Sequence, residues 1–146
     1  MTIRAMTIDD YGPVYDLWLS TPGMGLNATD DSREGIARYL ARNPNTCFVA
    51  EEDGHIIGVI LSGHDGRRGY IHHMAVETSQ RMRGVGGQLL EHTMEALERE
   101  NIHKVALVVF GKNQIGNAFW EKQGFAARND LVYRDKNIIP LERIDT

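Results

Sequence analysis

Hydrophobic residues in this chain return every three or four positions in some stretches and every second position in others, so helices and strands can be marked before any motif is considered. Ile3 to Met6 can form a short strand. Thr7-Ile8-Asp9-Asp10 then supplies an N-cap and first-turn acids for a helix reaching about Leu19, with Val14, Leu17 and Trp18 on one face. The stretch from Ser20 to Asn27 is the longest irregular one, holding a proline and two glycines, and Asp31-Ser32 caps a second helix through Ile36, Tyr39 and Leu40. Asn43-Pro44-Asn45 ends that helix. Residues 46–51 and 56–62 read as a hairpin turned at Glu52-Asp53-Gly54-His55, and after a second turn at 63–69 the strand 70–76 completes a meander.

A helix over roughly 84–100 presents Leu89, Leu90, Met94 and Leu97 for packing. Val105-Ala106-Leu107-Val108-Val109-Phe110 is an unbroken apolar run, the pattern of a strand covered on both sheet faces. Asn113 to Lys122 forms a short helix broken by Gly124, and Phe125, Leu131-Val132-Tyr133 and Ile138-Ile139 can supply closing strands. Strand 70–76, helix 84–100 and strand 105–110 make a βαβ unit, whose crossover is right-handed by the usual rule. The element order predicts a mixed α/β sheet without internal repeat or linker. A length of 146 residues suits one domain, 1–146, able to bury close to ~70% of its unfolded surface.

Composition narrows the class. A hydrophobic content of 42% and charged content of 25% are those of an ordinary globular domain, and no apolar run approaches a bilayer span. Met1-Thr2-Ile3-Arg4 lacks a secretory apolar region, so the expected compartment is the cytoplasm, with no membrane partner. A formal charge of −4 argues against nucleic-acid backbones as partners. Cys47 is the single cysteine, and Cys47-Phe48-Val49-Ala50 reads as buried strand, a poor setting for a nucleophile.

The chemistry concentrates in Arg81-Met82-Arg83-Gly84-Val85-Gly86-Gly87, placed between an apolar strand and a helix start. Glycines allow tight bending and close backbone approach, and the first-turn N–H groups, the helix dipole and the two arginines all favour an anion. A Walker loop is excluded, because Gly87 is followed by Gln88-Leu89 rather than Lys-Ser/Thr. A dinucleotide fingerprint needs a glycine where Leu89 stands.

With these motifs in this order, the chain resembles the GNAT superfamily of acyl-CoA-dependent N-acyltransferases over essentially its whole length. Arg81-Met82-Arg83-Gly84-Val85-Gly86 is similar to that family's Q/R-x-x-G-x-G/A signature, and the run from Asn113 through Phe119-Trp120-Glu121-Lys122 to Phe125 to its N-x-x-A-x-x-F-Y-E-K-x-G-F. The resemblance implies a mixed, mostly antiparallel sheet whose central parallel strands splay into a V, flanked by about four helices. It implies acetyl-CoA as cosubstrate, with the Arg81, Met82, Arg83, Gly84, Val85, Gly86 and Gly87 backbone on the pyrophosphate and Met74, Ala75 and Val76 paired with pantetheine. Asn113, Asn117 and Trp120 complete that list. Gly116 replaces the family's alanine, and Trp120 the tyrosine that many members use to protonate the departing thiolate; indole N–H cannot serve, and Tyr133 is a substitute.

His72 is the first choice of general base, with Tyr70 able to hold a relaying water. Strict alternation would put Tyr70, His72 and Met74 on one face and Ile71, His73 and Ala75 on the other, so His72-His73 would not chelate, and no histidine spacing suggests a metal. The acceptor site is expected from the loop 21–30 and the turn 63–69, with Met24, Leu26 and Trp18 as apolar contacts, Asp30 and Asp31 as attractors or caps, and Arg67 and Arg68 as further candidates. The activity implied is acetyl transfer to an amine by direct attack in a ternary complex. Alternatives are a longer acyl donor and a non-catalytic acyl-CoA sensor, and the late strands could form a homodimer edge.

Overall fold

The computed structural model describes residues 1–144. Its main sheet contains β1 (Thr2–Ala5), β3 (Phe48–Glu52), β4 (His55–His64), β5 (Gly69–Val76) and β6 (Val105–Ala106), in that spatial order. All neighbours are antiparallel except β5 and β6. A second, two-stranded sheet joins β2 (Leu26–Asn27) to β7 (Arg143–Ile144). The helices are α1 (Tyr11–Leu19), α2 (Arg33–Arg42), α3 (Val85–Arg99) and α4 (Gln114–Lys122). This is the expected mixed sheet with four helices. Among the described residues no helix is long and apolar enough to cross a membrane.

Local chemistry explains the boundaries. Asp10 Oδ2 accepts the Thr7 N–H at 2.9 Å, fixing the turn that leads into α1. Ser32 Oγ caps α2 by accepting the Gly35 N–H at 3.0 Å. At the β3–β4 turn, Asp53 and Gly54 both have positive φ, 51° and 78°, as a type I′ hairpin requires.

Two apolar layers sandwich the sheet. On one side α1 and α2 bury Val14, Trp18 and Ile36 against Val49, Val59, Leu61 and Ala75. On the other, Val85, Leu89 and Leu90 of α3 pack on Ala50, Ile60 and Ile71. Met94, expected on the packing face of α3, is 42% exposed: Thr93 occupies the buried angle of that turn. Cys47 is fully buried, its Sγ donates to the Ser62 carbonyl, and burial pushes its thiol pKa up to about 12, so it is no nucleophile.

Two expectations about the late chain fail. The apolar run 105–110 remains strand only at Val105–Ala106, and Val108 and Phe110 are exposed, because the chain turns away from β5 after that point. Likewise Leu131, Val132, Tyr133, Ile138 and Ile139 form no strand and are exposed; the closing strand is β7, which pairs with β2 instead. Residues 107–110 and Tyr133 lie against an opening in the fold, and Leu131, Val132, Ile138 and Ile139 are exposed on the surface.

Candidate functional site

The opening begins where the parallel pair ends. Only Gly69 with Val105 and Tyr70 with Ala106 are in register; beyond them β5 continues alone to Val76 while residues 107–110 diverge. The wedge between them is part of a cleft of about 1650 Å³, larger than a typical single-ligand pocket. Its walls include Met74, Ala75 and Val76 along β5 and Leu107, Val108, Val109 and Phe110 opposite. A strand without a neighbour presents its backbone N–H and C=O groups along that edge.

At the far end of β5 lies the glycine loop. Met82, with φ of 69°, and Gly84, with φ of 78°, both adopt the left-handed conformation, and Gly84 is the N-cap of α3. The N–H groups of Val85, Gly86 and Gly87 follow in the first turn, where no intrahelical acceptor exists. Gly86 is constrained by contact: a Cβ there would lie 3.2 Å from Phe119 of α4. Arg81, Met82, Gly84, Val85, Gly86 and Gly87 line the cleft. Arg83 does not. Its guanidinium donates to Glu52 at 2.8 and 3.1 Å and to Gln80, on the side of the loop facing β3.

Helix α4 closes this end. Asn113 lines the cleft, but its Oδ1 accepts the Gly116 N–H at 2.9 Å as the helix cap, leaving its amide donors for a ligand. A Cβ on Gly116 would approach Asn113 Nδ2 to 2.6 Å, so glycine here preserves the cap. Asn117 lies outside the cleft lining and donates to the Phe110 and Asn113 carbonyls, bracing the diverging segment. Trp120 lines the cleft, with its ring edge-on between Phe119 and Phe125.

The near end is shaped by a β-bulge that the sequence reading missed. On β4 and β5, Leu61 pairs with His73 but Ser62 with Ile71, so His72 is one residue in excess. Alternation resets there. Ile71 packs in the α3 layer, as do Met74 and Val76, whereas Ala75 packs with α1 and α2. The histidines therefore do not face opposite ways: His72 lies with Tyr70 (ring centroids 4.6 Å) and Tyr39 of α2 (5.4 Å), and His73 meets Trp18 of α1 (5.0 Å). His72 is exposed at the cleft wall, but the protein crowded around it, followed by the neighbouring His73, lowers its pKa below the ordinary 6.5, with Asp31 and Asp30 opposing. Burial, and then Tyr133, raises that of Tyr70. Tyr70, His72, His73 and Tyr133 all line the cleft.

Asp31 carries a second unforeseen role. It is buried, and its Oδ1 lies 2.8 Å from His73 Nε2. Its Oδ2 accepts the Asn27 N–H at 2.9 Å and its carbonyl the Tyr11 hydroxyl at 2.7 Å. An ionised carboxylate only accepts, so His73 Nε2 carries the proton and Nδ1 is left as an acceptor without a partner among the described residues. The pair ties the loop before α2 to β5. The same loop is held from the other side by β7 and by Ala28 N–H donating to the Glu142 carbonyl at 2.8 Å.

Other acceptor-site expectations divide clearly. Residues 21–25, Asn27, Asp30 and Asp31 line the cleft, but the turn 63–69 does not. Arg67 and Arg68 donate their backbone N–H groups to Asp65 Oδ1 in a closed turn, and Trp18 and Leu26 are core residues. Alternation alone gave no signal for Tyr39, because its distance from His72 depends on packing across the sheet.

A central strand left with one edge unpaired beside a glycine-capped helix start defines a transferase domain built around an extended, anion-bearing donor. The chain belongs to the acetyltransferase (GNAT) family, whose sequence profile matches residues 12–125. It is similar to an acetyltransferase of Sodalis glossinidius (29% identical, 95% of this chain and 96% of the relative) and to one of Photorhabdus laumondii (30% identical, 97% and 99%). Among solved structures, the fold is shared with Ard1 from Thermoplasma volcanium (TM-score 0.73, 23% identity, 84% of this chain and 80% of that one). It is shared too with the aminoglycoside acetyltransferase AAC(6')-Iy bound to a CoA bisubstrate analogue (TM-score 0.70, 19% identity, 93% and 97%). The protein is an acetyltransferase.

Proposed function

We propose that this enzyme moves the acetyl group of acetyl-CoA to a primary amine by direct attack in a ternary complex, and the observation that carries the reading is the unpaired edge of β5 running from His72 to the glycine loop. The first-turn N–H groups after Gly84, with Arg81 beside them, hold the pyrophosphate. The backbone of Met74, Ala75 and Val76 pairs with the pantetheine amides as an added strand would. From His72 to Val76, where β5 ends before the loop, is about 13 Å at roughly 3.3 Å per residue, a stretch of strand edge that suits an extended pantetheine arm. Trp120 borders the arm without supplying a proton.

His72 receives the proton from the incoming ammonium. Its lowered pKa favours the neutral ring that can accept a proton, and its ring contacts Tyr39 and Tyr70. The amine nitrogen then forms its bond to the acetyl carbon as the carbon–sulfur bond breaks. Tyr133 gives its phenolic proton to the departing sulfur and regains one from the second proton that the nitrogen sheds as it becomes an amide; Tyr70, held protonated by burial, orders the water between base and amine. No covalent enzyme intermediate is required.

The reading is tested by presenting a panel of amines with acetyl-CoA and following thiol release. Turnover that depends on both substrates supports it. Stabilisation by acetyl-CoA without turnover of any amine would convert the domain into an acyl-CoA sensor, and preference for succinyl-CoA would change the donor.

A further inference from the structure

The cleft has a second set of charges, at the end opposite the pyrophosphate loop. Arg38 and Arg42 of α2 both line it. They are four residues apart and share one helix face, with Cβ atoms roughly 5–6 Å from each other. Tyr39, next to Arg38, has its ring 5.4 Å from that of His72, which fixes this part of α2 at the reacting end. The donor's phosphates belong to the other end, past Val76, where Arg81 stands.

Two like charges one turn apart are unfavourable for a helix by themselves. Among the described residues no carboxylate relieves them. Glu34 precedes Arg38 by one turn, the spacing for an ion pair, yet neither arginine has an ion pair or hydrogen bond among the described residues. Arg4, Arg83 and Arg128, by contrast, are each paired with carboxylates. Of the acids that line the same cleft, Asp31 is engaged by His73 and Asp30 receives the Asn27 side-chain amide. Asp135 has no partner among the described residues. The cleft therefore offers two guanidinium groups on one wall and, elsewhere in its lining, the carboxylate of Asp135 and the Asp30 oxygen left over from the Asn27 contact, a charge layout that matches a zwitterion.

Resting on the amine-transfer reading, we propose that the acceptor is an amino compound with a free carboxylate, an amino acid or amino-acid derivative, whose carboxylate is gripped by Arg38 and Arg42 while its ammonium faces His72. A planar guanidinium fork matches a carboxylate bidentately, which an exposed lysine pair would not do. Asp30 and Asp135 favour the ammonium before it gives up its proton.

The test uses matched acceptors differing only at the carboxylate: tyrosine, its methyl ester and tyramine; lysine and cadaverine; phenylalanine and its methyl ester. With acetyl-CoA, the carboxylate-bearing member of at least one set should be favoured at least about tenfold in kcat/KM, the discrimination expected for charge-assisted hydrogen bonds. In the Arg38→Gln/Arg42→Gln variant that ratio should fall towards one, mostly through KM. Both positions are exposed on a helix and glutamine is a good helix former, so folding should persist. An unchanged melting shift with acetyl-CoA in the variant verifies the fold and donor site. Turnover of esters, diamines or peptides with no preference for the carboxylate overturns this proposal and leaves the amine-transfer reading standing. No turnover of any amine overturns both.

Discussion

The two ends of the cleft are made from different materials. The donor end is mainly backbone: an unpaired strand edge, a left-handed glycine at a helix start, and N–H groups of the first turn. The other end is side chains brought from four places: α2, the loop before it, β5 and the segment after α4. A backbone site tolerates many sequences provided glycines stand where φ is positive, so it serves a donor common to a family. A side-chain site can change with single substitutions, so on the proposed reading it is where the acceptor is chosen.

If that contrast holds, chemistry should fail when the acceptor end is altered and donor binding should fail when the other end is. The largest effect is expected for His72→Phe, which keeps an aromatic ring between Tyr39 and Tyr70 but removes the base. A drop of roughly 10²–10⁴-fold in kcat is expected, with acetyl-CoA affinity retained. In the unaltered enzyme kcat/KM should rise through a pKa below 6.5, and that limb should vanish in the variant while any limb from the amine itself remains. Stability follows the same group. The folded protein binds this proton less readily than the unfolded chain, so stability falls as pH drops below about 6.5 and is restored above it; the variant should lose that contribution. A pH profile indistinguishable from the unaltered enzyme's would remove His72 from the mechanism.

Next in size is Asp31→Asn. An asparagine has one acceptor oxygen where the carboxylate uses two, so either the His73 Nε2–H or the Asn27 N–H is left facing an amide NH2 in a buried setting, at a cost of about 1–3 kcal/mol measurable by denaturant unfolding. Because the loop before α2 loses its tie to β5, the acceptor KM should rise while acetyl-CoA binding is spared. Equal weakening of both substrates would mean that the pair supports the fold as a whole.

Gly84→Val addresses the other end. A Cβ at Gly84 meets nothing within 4 Å, so the expected cost comes only from forcing a β-branched residue to φ of 78°, about 1–2 kcal/mol or somewhat more. Local relief of that strain would move the α3 first-turn N–H groups and weaken CoA by roughly tenfold, with the acceptor KM unaffected. Calorimetric titration with CoA reads this directly.

What was legible in the sequence follows the same division. Periodicity located α1, α3 and the meander because one apolar layer covers each side of the sheet, and the glycine loop was visible because positive φ favours a particular residue. The bulge at His72 left no mark: inserting one residue changes which face every later side chain occupies, yet the residues Tyr70 to Val76 read as a regular strand. That is why His73 was placed away from the reacting face. The run 105–110 misled in the opposite sense, since apolar residues that line a cleft have the same composition as residues that fill a core. Partner choice was equally hidden. Asp31 reads as part of a cap beside Ser32, and only packing reveals that its carboxylate reaches across 42 residues to His73.

The smallest predicted effect separates two arginines that the glycine motif makes equivalent. Arg81 lines the cleft and has no ion pair among the described residues, whereas Arg83 is exposed and already paired with Glu52. Arg81→Gln removes a charge facing the pyrophosphate and should weaken CoA several-fold, more strongly at low salt, because an exposed charge acts through a screened field. Arg83→Gln removes an exposed ion pair of the kind worth about 0–1 kcal/mol, and its charge is largely spent on Glu52, so CoA affinity should hardly move. Titrating CoA against both variants at two ionic strengths decides the matter. Equal losses from the two substitutions would mean that Arg83 leaves Glu52 when CoA binds, and the donor end would then depend on a side-chain rearrangement as well as on its backbone.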